Sequence, residues 1–453
     1  MVKKNNRLRI MYIVIFFLFI FWVLSVVDKI VRAKFIEDST TIVNGFYAEK
    51  KNDIDLIVIG SSHSFCTIDP IVLYEKYGIA AYDFGSSSQP MNISALYLKE
   101  ALKWQQPKVV ALEVNMIVGG SIHEKNEAAF RWGYTDIPLS IDKLACMYQS
   151  LGTVDEEYFS YVFPIFWYHS RWKELSKVDY TYFWEDQTNH TKGYLQTQSV
   201  TETAVSLGDY SIDGVAWIEE DSIAYLDEMI EICRKHGVEL LLFKSPREDW
   251  HAYETEAIRE LANERNLQFL DYNELYHNGE IILDTTADFR DGQHLNDFGS
   301  AKVTVHFGSY IDELYDLPDR REDTTQNSWD QACLYKQHKG WQDYMGAANA
   351  HDCLELLQND NNYIIMVTEN ASKGSNQPEQ WIYKDGKVIF HKVWEDDGRV
   401  YMNIEESTVV LQRKGAGYHV QIDATEYYQM GKRWNIIVYD KVTQEVTALT
   451  FEQ

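Results

Sequence analysis

Two stretches that lie far apart in the chain contain the residue types that acyl transfer by a serine requires. The first, residues 54–64, is an apolar run that stops at Gly60 and continues into two serines, of which Ser62 is the second. The other places Asp291 and His294 three residues apart in a polar stretch before a predicted helix. A serine hydroxyl attacks a carbonyl when a base accepts its proton and a carboxylate holds that base in the right tautomer. Either stretch alone is typical of an ordinary loop, but together they predict a triad of Ser62, His294 and Asp291.

The elements around these residues alternate between predicted strands and helices. A β-branched run that stops at a glycine is typical of a buried parallel strand. Strands are predicted at 54–59, 80–84, 109–114, 238–243 and 268–270, and helices at 70–77, 92–104, 221–236, 253–266 and 297–314. This alternation predicts an α/β fold, with a parallel sheet and helices on both faces. Because ligands gather beyond the carboxyl ends of such strands, we expect Ser62 at that edge of the sheet.

Four polar residues outside the triad are candidates for contact with a substrate. Lys244 and Arg247 follow the strand predicted at 238–243. His169 and Arg171 lie in an aromatic-rich stretch and could line the wall of a pocket. Each pair has an alternative explanation, because solvated charges at a strand end and satisfied polar residues in an aromatic core give the same pattern.

Two side chains close to Ser62 in the chain are weaker candidates. His63 is its neighbour, but we expect the imidazole to point away from the pocket if the Ser62 hydroxyl points into it. Cys66 is an alternative nucleophile, yet no glycine turn precedes it. A small buried hydrophobic residue is the simpler interpretation of Cys66.

The two stretches in combination resemble the SGNH/GDSL hydrolase family over roughly residues 50–315. In that family a serine follows the first strand in a Gly-Asp-Ser motif, and Asp-x-x-His lies near the end of the domain. The resemblance implies that Ser62 is the nucleophile and that Asp291 and His294 are its partners. Ser61 stands where the family has Asp, and the Gly-x-Asn-Asp of the third block is missing. The first departure is frequent in the membrane-anchored branch, whose members are similar to the teichoic acid D-alanylation and alginate O-acetylation proteins.

The resemblance also suggests which groups bind the oxyanion. Gly85 follows the second predicted strand and Asn115 follows the third, so they match the family's second and third blocks by position. The resemblance implies that the backbone amides of Ser62 and Gly85, with the side chain of Asn115, stabilise the negative charge that forms during acyl transfer. For Asn115 an ordinary polar residue at the end of a strand is the alternative. No cofactor and no metal ion is implied.

The N-terminus is predicted to be a membrane anchor. Residues 10–27 form an uncharged apolar run just long enough to cross a bilayer as a helix. Four basic residues precede it and favour a cytoplasmic N-terminus, although Lys29, Arg32 and Lys34 weaken the asymmetry. No cleavage site of small residues follows the apolar run. We therefore expect residues 1–34 to be an uncleaved single-pass anchor at the cell membrane, with the bulk of the chain extracytoplasmic. A cleaved signal peptide is the alternative.

The charge of the chain limits the partners that it can bind. Its net charge is −27, and because residues 1–34 carry seven Lys or Arg and one Asp, the remainder carries −33. A domain this acidic repels nucleic acid and other polyanions. The charge therefore favours a neutral glycan or another uncharged acceptor.

Cysteine usage predicts no disulfide framework. Five cysteines in 453 residues are few and odd in number. Cys333 and Cys353 could pair if they lie close in space. No spacing of cysteines suggests a zinc site.

Changes in composition along the chain predict several segments after the anchor. A hydrolase-like domain is expected over 35–316, with an aromatic-rich insertion at about 119–214. A polar linker is expected at 317–335, followed by a small accessory domain at 336–453 that is α+β or mostly β. Residues 435–446, the last strong strand of that domain and its turn, resemble the interleukin-like EMT inducer domain.

The family resemblance implies a serine acyltransferase or esterase that acts on acyl groups of a cell-envelope polysaccharide. It also implies a membrane-bound O-acyltransferase as the partner that supplies acyl groups. The alternative is a non-catalytic glycan-binding or scaffolding protein of an envelope modification complex. The sequence leaves open the acyl group, the acceptor, and whether a sugar hydroxyl or water receives the acyl group.

Overall fold

The computed structural model describes residues 2–120, 126–197, 199–201, 203–208, 213–322, 328–340, 347, 349–358, 363–370, 379–384, 387–404, 407–414, 417–422, 425–427, 433–440 and 446–451. The chain divides into two compact units, Met1–Ala332 and Cys333–Gln453. The first unit contains every residue of the predicted triad.

A parallel five-stranded sheet forms the centre of the first unit. Its strands are β1 Leu56–Ile59, β2 Ala81–Asp83, β3 Val109–Glu113, β4 Glu239–Lys244 and β5 Gln268–Asp271. They lie in the order β2-β1-β3-β4-β5, and each neighbouring pair is parallel. The chain thus moves to one side of β1 through β2 and then crosses to the other side to form β3. In sheets wound in both directions, ligands bind beside the carboxyl ends of the strands at this point of reversal.

Helices cover both faces of this sheet, and the predicted parallel α/β architecture is confirmed. The helices of the first unit are α1 Val2–Val31, α2 Thr41–Ala48, α3 Ser62–Phe65, α4 Pro70–Tyr77, α5 Met91–Trp104, α6 Asn115–Val118, α7 Glu127–Tyr134, α8 Ile141–Leu151, α9 Glu156–Val162, α10 Ile165–Tyr168, α11 Lys177–Thr181, α12 Glu220–His236, α13 Ala252–Glu264, α14 Tyr272–His277, α15 Asp297–Leu314 and α16 Ser328–Gly340, which continues into the second unit. A π-helical turn at Ile36–Thr40 and 3-10 turns at His169–Lys173, Tyr182–Trp184 and Arg320–Glu322 complete the set. Leu56, Val58 and Leu241 belong to the core that α4 and α15 share, while the alternate strand side chains are buried where α5 packs with α12.

Helix α4 shows how local sequence sets these elements. The Asp69 Oδ1 accepts hydrogen bonds from the backbone amides of Ile71 (2.9 Å) and Val72 (3.3 Å). Pro70 occupies the first helical position, where no amide donor is needed, and the helix ends before Gly78. These signals determine where α4 begins and ends, a few residues after the serine turn.

Helix α1 is long enough and apolar enough to cross a bilayer over Leu8–Val31. Its side chains from Leu8 to Leu24 are exposed. Val31, at its C-terminal end, is buried instead. The helix is compatible with the predicted anchor, and a signal sequence can have the same length and composition.

The structure differs from the sequence interpretation in the stretch predicted as a linker, residues 317–335. The guanidinium of Arg320 forms two contacts of 2.7 Å with the carboxylate of Asp55, just before β1. Trp329 is buried and donates from Nε1 to the carbonyl of Ala81 at 3.0 Å. These contacts fold much of the described segment onto the first unit.

The second unit consists of two antiparallel sheets and a helix. Its elements are α17 Ala350–Gln358, β6 Tyr363–Glu369, β7 Glu379–Lys384, β8 Lys387–Val393, β9 Gly398–Ile404, β10 Ser407–Lys414, β11 Gly417–Ile422, β12 Thr425–Glu426, β13 Trp434–Asp440 and β14 Val446–Phe451. The sheets have the orders β14-β13-β6-β7-β8 and β12-β11-β10-β9. Met366 and Leu411 belong to the core between the sheets, whereas Ile365 packs with Leu357 of α17 on the opposite face. This is the small α+β domain that the sequence predicts.

No disulfide joins any of the five cysteines, all of which lie in the described part of the chain. The pairing of Cys333 with Cys353 that the sequence left open is therefore not formed. Cys353 lies on α17, is buried, and packs in the core between that helix and the sheet.

We predict that Asn296→Ala lowers the free energy of unfolding by about 2 kcal/mol. The Asn296 Oδ1 accepts from the amides of Phe298 (3.0 Å) and Gly299 (3.2 Å) at the start of α15. Its Nδ2 donates to the carbonyls of Ala287 (2.7 Å) and Ser199 (3.2 Å). Urea unfolding followed by tryptophan fluorescence measures the change. Asn296→Asp is the control, because it keeps the acceptor and loses only the donors. Equal losses in the two variants would contradict the capping role.

Candidate active site

The structure brings Ser62, His294 and Asp291 into one hydrogen-bonded chain. The Ser62 Oγ lies 2.8 Å from the His294 Nε2. The His294 Nδ1 lies 2.9 Å and 3.1 Å from the two carboxylate oxygens of Asp291. Because a carboxylate only accepts hydrogen bonds, this geometry requires the proton of neutral His294 on Nδ1, which leaves Nε2 as an acceptor for the Ser62 hydroxyl.

A tight loop before α15 presents the histidine and the carboxylate together. Phe289 and Leu295 form an antiparallel bridge across it, and the amide of Arg290 donates to the carbonyl of His294 at 3.1 Å. The Asp291 Oδ1 also accepts from the backbone amide of His294 at 2.9 Å. The loop therefore fixes Asp291 relative to His294 through both backbone and side chain.

The serine is presented by the abrupt end of β1. The chain leaves the sheet at Gly60, and Ser62 is the first residue of α3. A Cβ on Gly60 would lie 2.8 Å from the Cβ of Glu113 on the neighbouring strand, closer than side chains tolerate. The Ser64 Oγ donates to the carbonyl of Ser61 at 2.8 Å and closes the turn. Only a glycine allows the chain to pass β3 at this distance.

Two backbone amides beside Ser62 are available as donors. Gly85, after β2, lies so close to β1 that a side chain there would overlap the carbonyl oxygen of Gly60. Within the described part of the chain, the amides of Ser62 and Gly85 donate no hydrogen bond. Such unpaired amides at a strand end can bind a negatively charged oxygen.

Asn115 lies at the end of β3 and is held by Arg247. The Asn115 Oδ1 accepts from the Arg247 Nη1 at 2.9 Å. Arg247 is held in turn, because its amide donates to the Asn273 Oδ1 (3.1 Å) and its Nε donates to the carbonyl of Glu248 (2.8 Å). One N–H of the Asn115 Nδ2 faces the Met116 Sδ at 3.8 Å, which leaves its second N–H to donate to a ligand. Arg247, predicted to contact a substrate, is placed instead to orient Asn115.

Lys244 does not contact a substrate in this structure, because its side chain is completely buried. The Lys244 Nζ lies 3.2 Å from the Glu113 Oε1, and both side chains are 0% exposed. Glu113 also accepts from the amides of Asn115 (3.0 Å) and Ser245 (3.3 Å). Burial lowers the pKa of Lys244, and the charge of Glu113 opposes that shift. The pair joins the ends of β3 and β4 directly beneath the candidate site.

Asp291 is ionised over the whole physiological pH range. Partial burial raises its pKa, but the hydrogen bond and charge of His294, the amide of Gln293 and the charge of Arg290 lower it more, to about 2. Since this value lies below the unfolded value of about 3.9, the interaction stabilises the fold above that pH. That contribution is lost as the pH falls toward 2. Nearly half of the side chain is exposed, so solvent screening keeps the contribution small.

His63 lies beside the triad histidine, which the sequence interpretation did not expect. Its ring centroid is 5.0 Å from that of His294, with an angle of 32° between the planes. The His63 Nδ1 lies 3.2 Å from the Ser61 Oγ. Burial lowers the pKa of His63 well below its usual range, and the charges of Lys244 and His294 lower it further. A neutral His63 adds no repulsion when His294 takes up a proton.

Three other candidate residues lie outside this arrangement. The Arg171 Nη1 donates to the carbonyls of Val31 and Arg32, both at 2.8 Å, so its guanidinium is engaged at the end of α1. His169 is exposed, and its Nδ1 contacts the carbonyl of Phe166 at 2.8 Å. These contacts place both residues outside the hydrogen-bonded chain of Ser62, and their role in a substrate pocket stays a prediction. Cys66 is fully buried, and burial raises its pKa to about 12, so it is not a competing nucleophile.

The site offers no metal centre among the residues that the structure describes. No group of three or more His, Cys, Asp or Glu side chains there is arranged to hold an ion. The chemistry available to these residues is that of a serine, a histidine, a carboxylate and backbone amides.

We predict that Lys244→Met destabilises the protein by about 3–5 kcal/mol, because it leaves the Glu113 carboxylate buried without its cation. Lys244→Met combined with Glu113→Gln removes the unpaired charge and keeps an amide oxygen for the neighbouring backbone donors. Urea unfolding should therefore show the double variant to be the more stable of the two.

Arg234→Met is the matched control for the buried pair. Arg234 pairs with Glu231 at 2.7 Å, but their side chains are 75% and 62% exposed. The expected change is below about 0.5 kcal/mol. If Lys244→Met were no more destabilising than Arg234→Met, the structural role of the buried pair would be contradicted.

A scan against models of protein families and a search of curated proteins found no match to this chain. The site by itself combines a serine, a histidine and a carboxylate in hydrogen-bond sequence with two unpaired backbone amides. Groups in that arrangement can transfer an acyl group through a covalent intermediate.

Proposed function

We propose that this protein is a membrane-anchored serine acyltransferase or esterase of the SGNH type, acting on acyl groups of a cell-envelope polysaccharide. The observation that carries the proposal is the hydrogen-bond chain from the Ser62 Oγ through His294 (2.8 Å) to Asp291 (2.9 Å). This chain lies at the carboxyl end of β1, where the winding of the sheet reverses. The motifs that resemble the SGNH/GDSL family are the residues that form it.

The first half of the proposed reaction forms an acyl-enzyme. The Ser62 Oγ attacks the carbonyl carbon of an ester or thioester while its proton passes to the His294 Nε2. Asp291 holds the imidazole in the required tautomer and stabilises its positive charge. The bond between the acyl carbon and the leaving oxygen or sulfur then breaks, and the leaving group takes the proton from His294. The acyl group remains on Ser62.

The second half releases the acyl group to an acceptor. A hydroxyl group gives its proton to the His294 Nε2 and attacks the acyl carbon, and the Ser62 Oγ recovers the proton as it leaves. Water as the acceptor makes the protein an esterase, and a sugar hydroxyl makes it a transferase. The acidic chain favours a neutral glycan, since net charge of −27 repels polyanionic acceptors. A membrane-bound O-acyltransferase is the proposed source of acyl groups.

Charge that develops on the carbonyl oxygen is stabilised by the available donors. The backbone amides of Ser62 and Gly85 are unpaired within the described chain. The Asn115 Nδ2 supplies a third donor, oriented by the 2.9 Å contact between its Oδ1 and Arg247. Each such donor typically contributes a factor of about 100 to 1,000 in rate.

Ser62 is favoured over its neighbours as the nucleophile by burial and by hydrogen bonding. Ser61 is 1% exposed and its Oγ lies 3.2 Å from the His63 Nδ1. Ser64 is fully buried and donates to the carbonyl of Ser61. Ser62 alone of these three serines combines partial exposure with a contact to His294.

We predict that Ser62→Ala abolishes labelling by a serine-reactive fluorophosphonate. It should also lower turnover of an activated acetyl ester by roughly 10³-fold or more. Ser61→Ala is the matched control and should keep most of both activities, because its hydroxyl is buried against His63. Adding a neutral polysaccharide to the assay separates transfer, which yields acylated glycan, from hydrolysis, which yields free acid alone. If the wild-type protein showed neither labelling nor turnover, the non-catalytic glycan-binding or scaffolding alternative would replace the enzyme.

We predict that Asn115→Ala lowers kcat for the same ester by about 100- to 1,000-fold with little change in KM, because the lost donor acts on the transition state. Arg247→Gln should lower kcat by a smaller factor, since the Asn115 side chain remains but is no longer held. The double variant should be no slower than Asn115→Ala. Fully additive effects would show that Arg247 acts independently of Asn115.

A further inference from the structure

Exposed aromatic side chains are concentrated in one short part of the insertion. Of the ten exposed aromatic side chains that the structure describes between residues 35 and 332, six lie within residues 163–184. These six, which we name the aromatic collar, are Phe163, Phe166, Trp167, Trp172, Tyr180 and Trp184. Soluble proteins rarely leave so many large aromatic side chains together in water, and such groups usually mark an interaction site.

The collar lies beside the C-terminal end of α1. The segments α10, α11 and His169–Lys173, which carry most of its members, pack against that helix. The Lys34 Nζ lies 3.0 Å from the Asp179 Oδ1, with both side chains nearly buried. The ring of Phe183 lies 5.6 Å from the Lys34 Nζ and 5.8 Å from the Lys29 Nζ. The collar is therefore at the level of residues 29–34 of the chain.

This level corresponds to the headgroup region of a membrane crossed by α1. The uncharged run of 18 residues from 10 to 27 spans about 27 Å as a helix, close to the roughly 30 Å of a bilayer's hydrocarbon core. Its side chains from Leu8 to Leu24 are exposed, so lipid is what can cover them. Residues 28–34 then leave the hydrocarbon. Tryptophan and tyrosine are enriched at that boundary in membrane proteins, because one part of each ring system is apolar and another is polar.

The local charge also fits a lipid surface. Residues 163–184 carry three Lys or Arg and two Asp or Glu, in a chain whose net charge is −27. Residues 28–34 add three basic side chains and one Asp at the same level, with Arg32 paired to Asp28 and Lys34 paired to Asp179. Residues 28–34 and 163–184 are thus slightly basic within an acidic chain, although Glu127, Glu156 and Glu157 lie beside Phe166 and Trp167.

The junction between α1 and the insertion is held by hydrogen bonds. Besides the contacts of Arg171 with the carbonyls of Val31 and Arg32, the Arg32 Nη1 donates to the carbonyl of Thr135 at 3.2 Å. The Arg32 guanidinium also pairs with Asp28 and Asp136. This junction fixes the end of α1 to the first unit, as expected for an anchor that is retained rather than cleaved.

We propose that the aromatic collar inserts into the lipid headgroup layer around the exit of α1 and seats the first unit directly on the membrane. The occupant of this surface is a lipid bilayer. This inference concerns the surface at residues 163–184 and does not depend on the proposed chemistry at Ser62.

The depth of spin labels in the full-length protein tests this proposal. Trp172→Cys and Trp184→Cys are labelled in a Cys333→Ser background, where the remaining native cysteines are buried, and reconstituted in phosphatidylcholine nanodiscs. Power saturation with oxygen and with a water-soluble nickel complex reports depth. We expect a higher oxygen-to-nickel accessibility ratio at both sites than at Trp217→Cys, an exposed tryptophan position outside the collar.

Two outcomes overturn the proposal. Equal ratios at Trp172, Trp184 and Trp217 would place the collar in water. Protection of the Trp172 and Trp184 labels from both reagents would mean that protein, such as a second copy of the chain or a membrane partner, covers the surface instead. Because all three substitutions replace exposed side chains, circular dichroism and thermal unfolding of each labelled protein establish that the fold is unchanged.

Discussion

The hydrogen bond between Ser62 and His294 joins residues 232 positions apart, and most of the first unit determines whether it can form. The serine has to leave β1 within two residues, which Gly60 permits by passing close to Glu113. The histidine has to arrive at the same edge of the sheet from the loop before α15, which Asn296 caps. The Ser62 hydroxyl and the His294 Nε2 are 2.8 Å apart, so a shift of β1 or of that loop by about 1 Å would break their hydrogen bond.

Beneath that bond lies a second constraint, the buried ion pair of Glu113 and Lys244. Such pairs contribute little net stability, because desolvation offsets their attraction, but they fix geometry strongly once formed. Glu113 holds the amides of Asn115 and Ser245, and the Ser245 Oγ donates to the carbonyl of His63 at 2.7 Å. Hydrogen bonds thus link the buried pair to Asn115 on one side of the candidate site and, through Ser245, to the serine turn on the other. We infer that the fold keeps this pair, despite the desolvation that its burial requires, because it positions Asn115 and Ser245.

The sequence was informative where a local pattern determines local structure. The apolar runs predicted the five parallel strands, and Asp69 with Pro70 marked the start of α4, because capping and strand burial depend on neighbouring residues. The spacing of Asp291 and His294 predicted their pairing for the same reason. The substrate contact predicted for Lys244 was wrong, because its partner Glu113 lies on another strand and the register of β3 against β4 is set by the whole fold. The contact of Arg247 with Asn115 and the approach of His63 to His294 could not be read from local sequence either, since each joins residues far apart in the chain.

In the proposed reaction, Ser62 carries the acyl group between donor and acceptor. Its most direct test is the intact mass of the full-length protein after brief mixing with an activated acyl donor, followed by peptide mapping. We expect an added mass of one acyl group, located on Ser62 and discharged when an acceptor is supplied. An unmodified protein that nevertheless turns over the donor, or an acyl group found on any other residue, would contradict it.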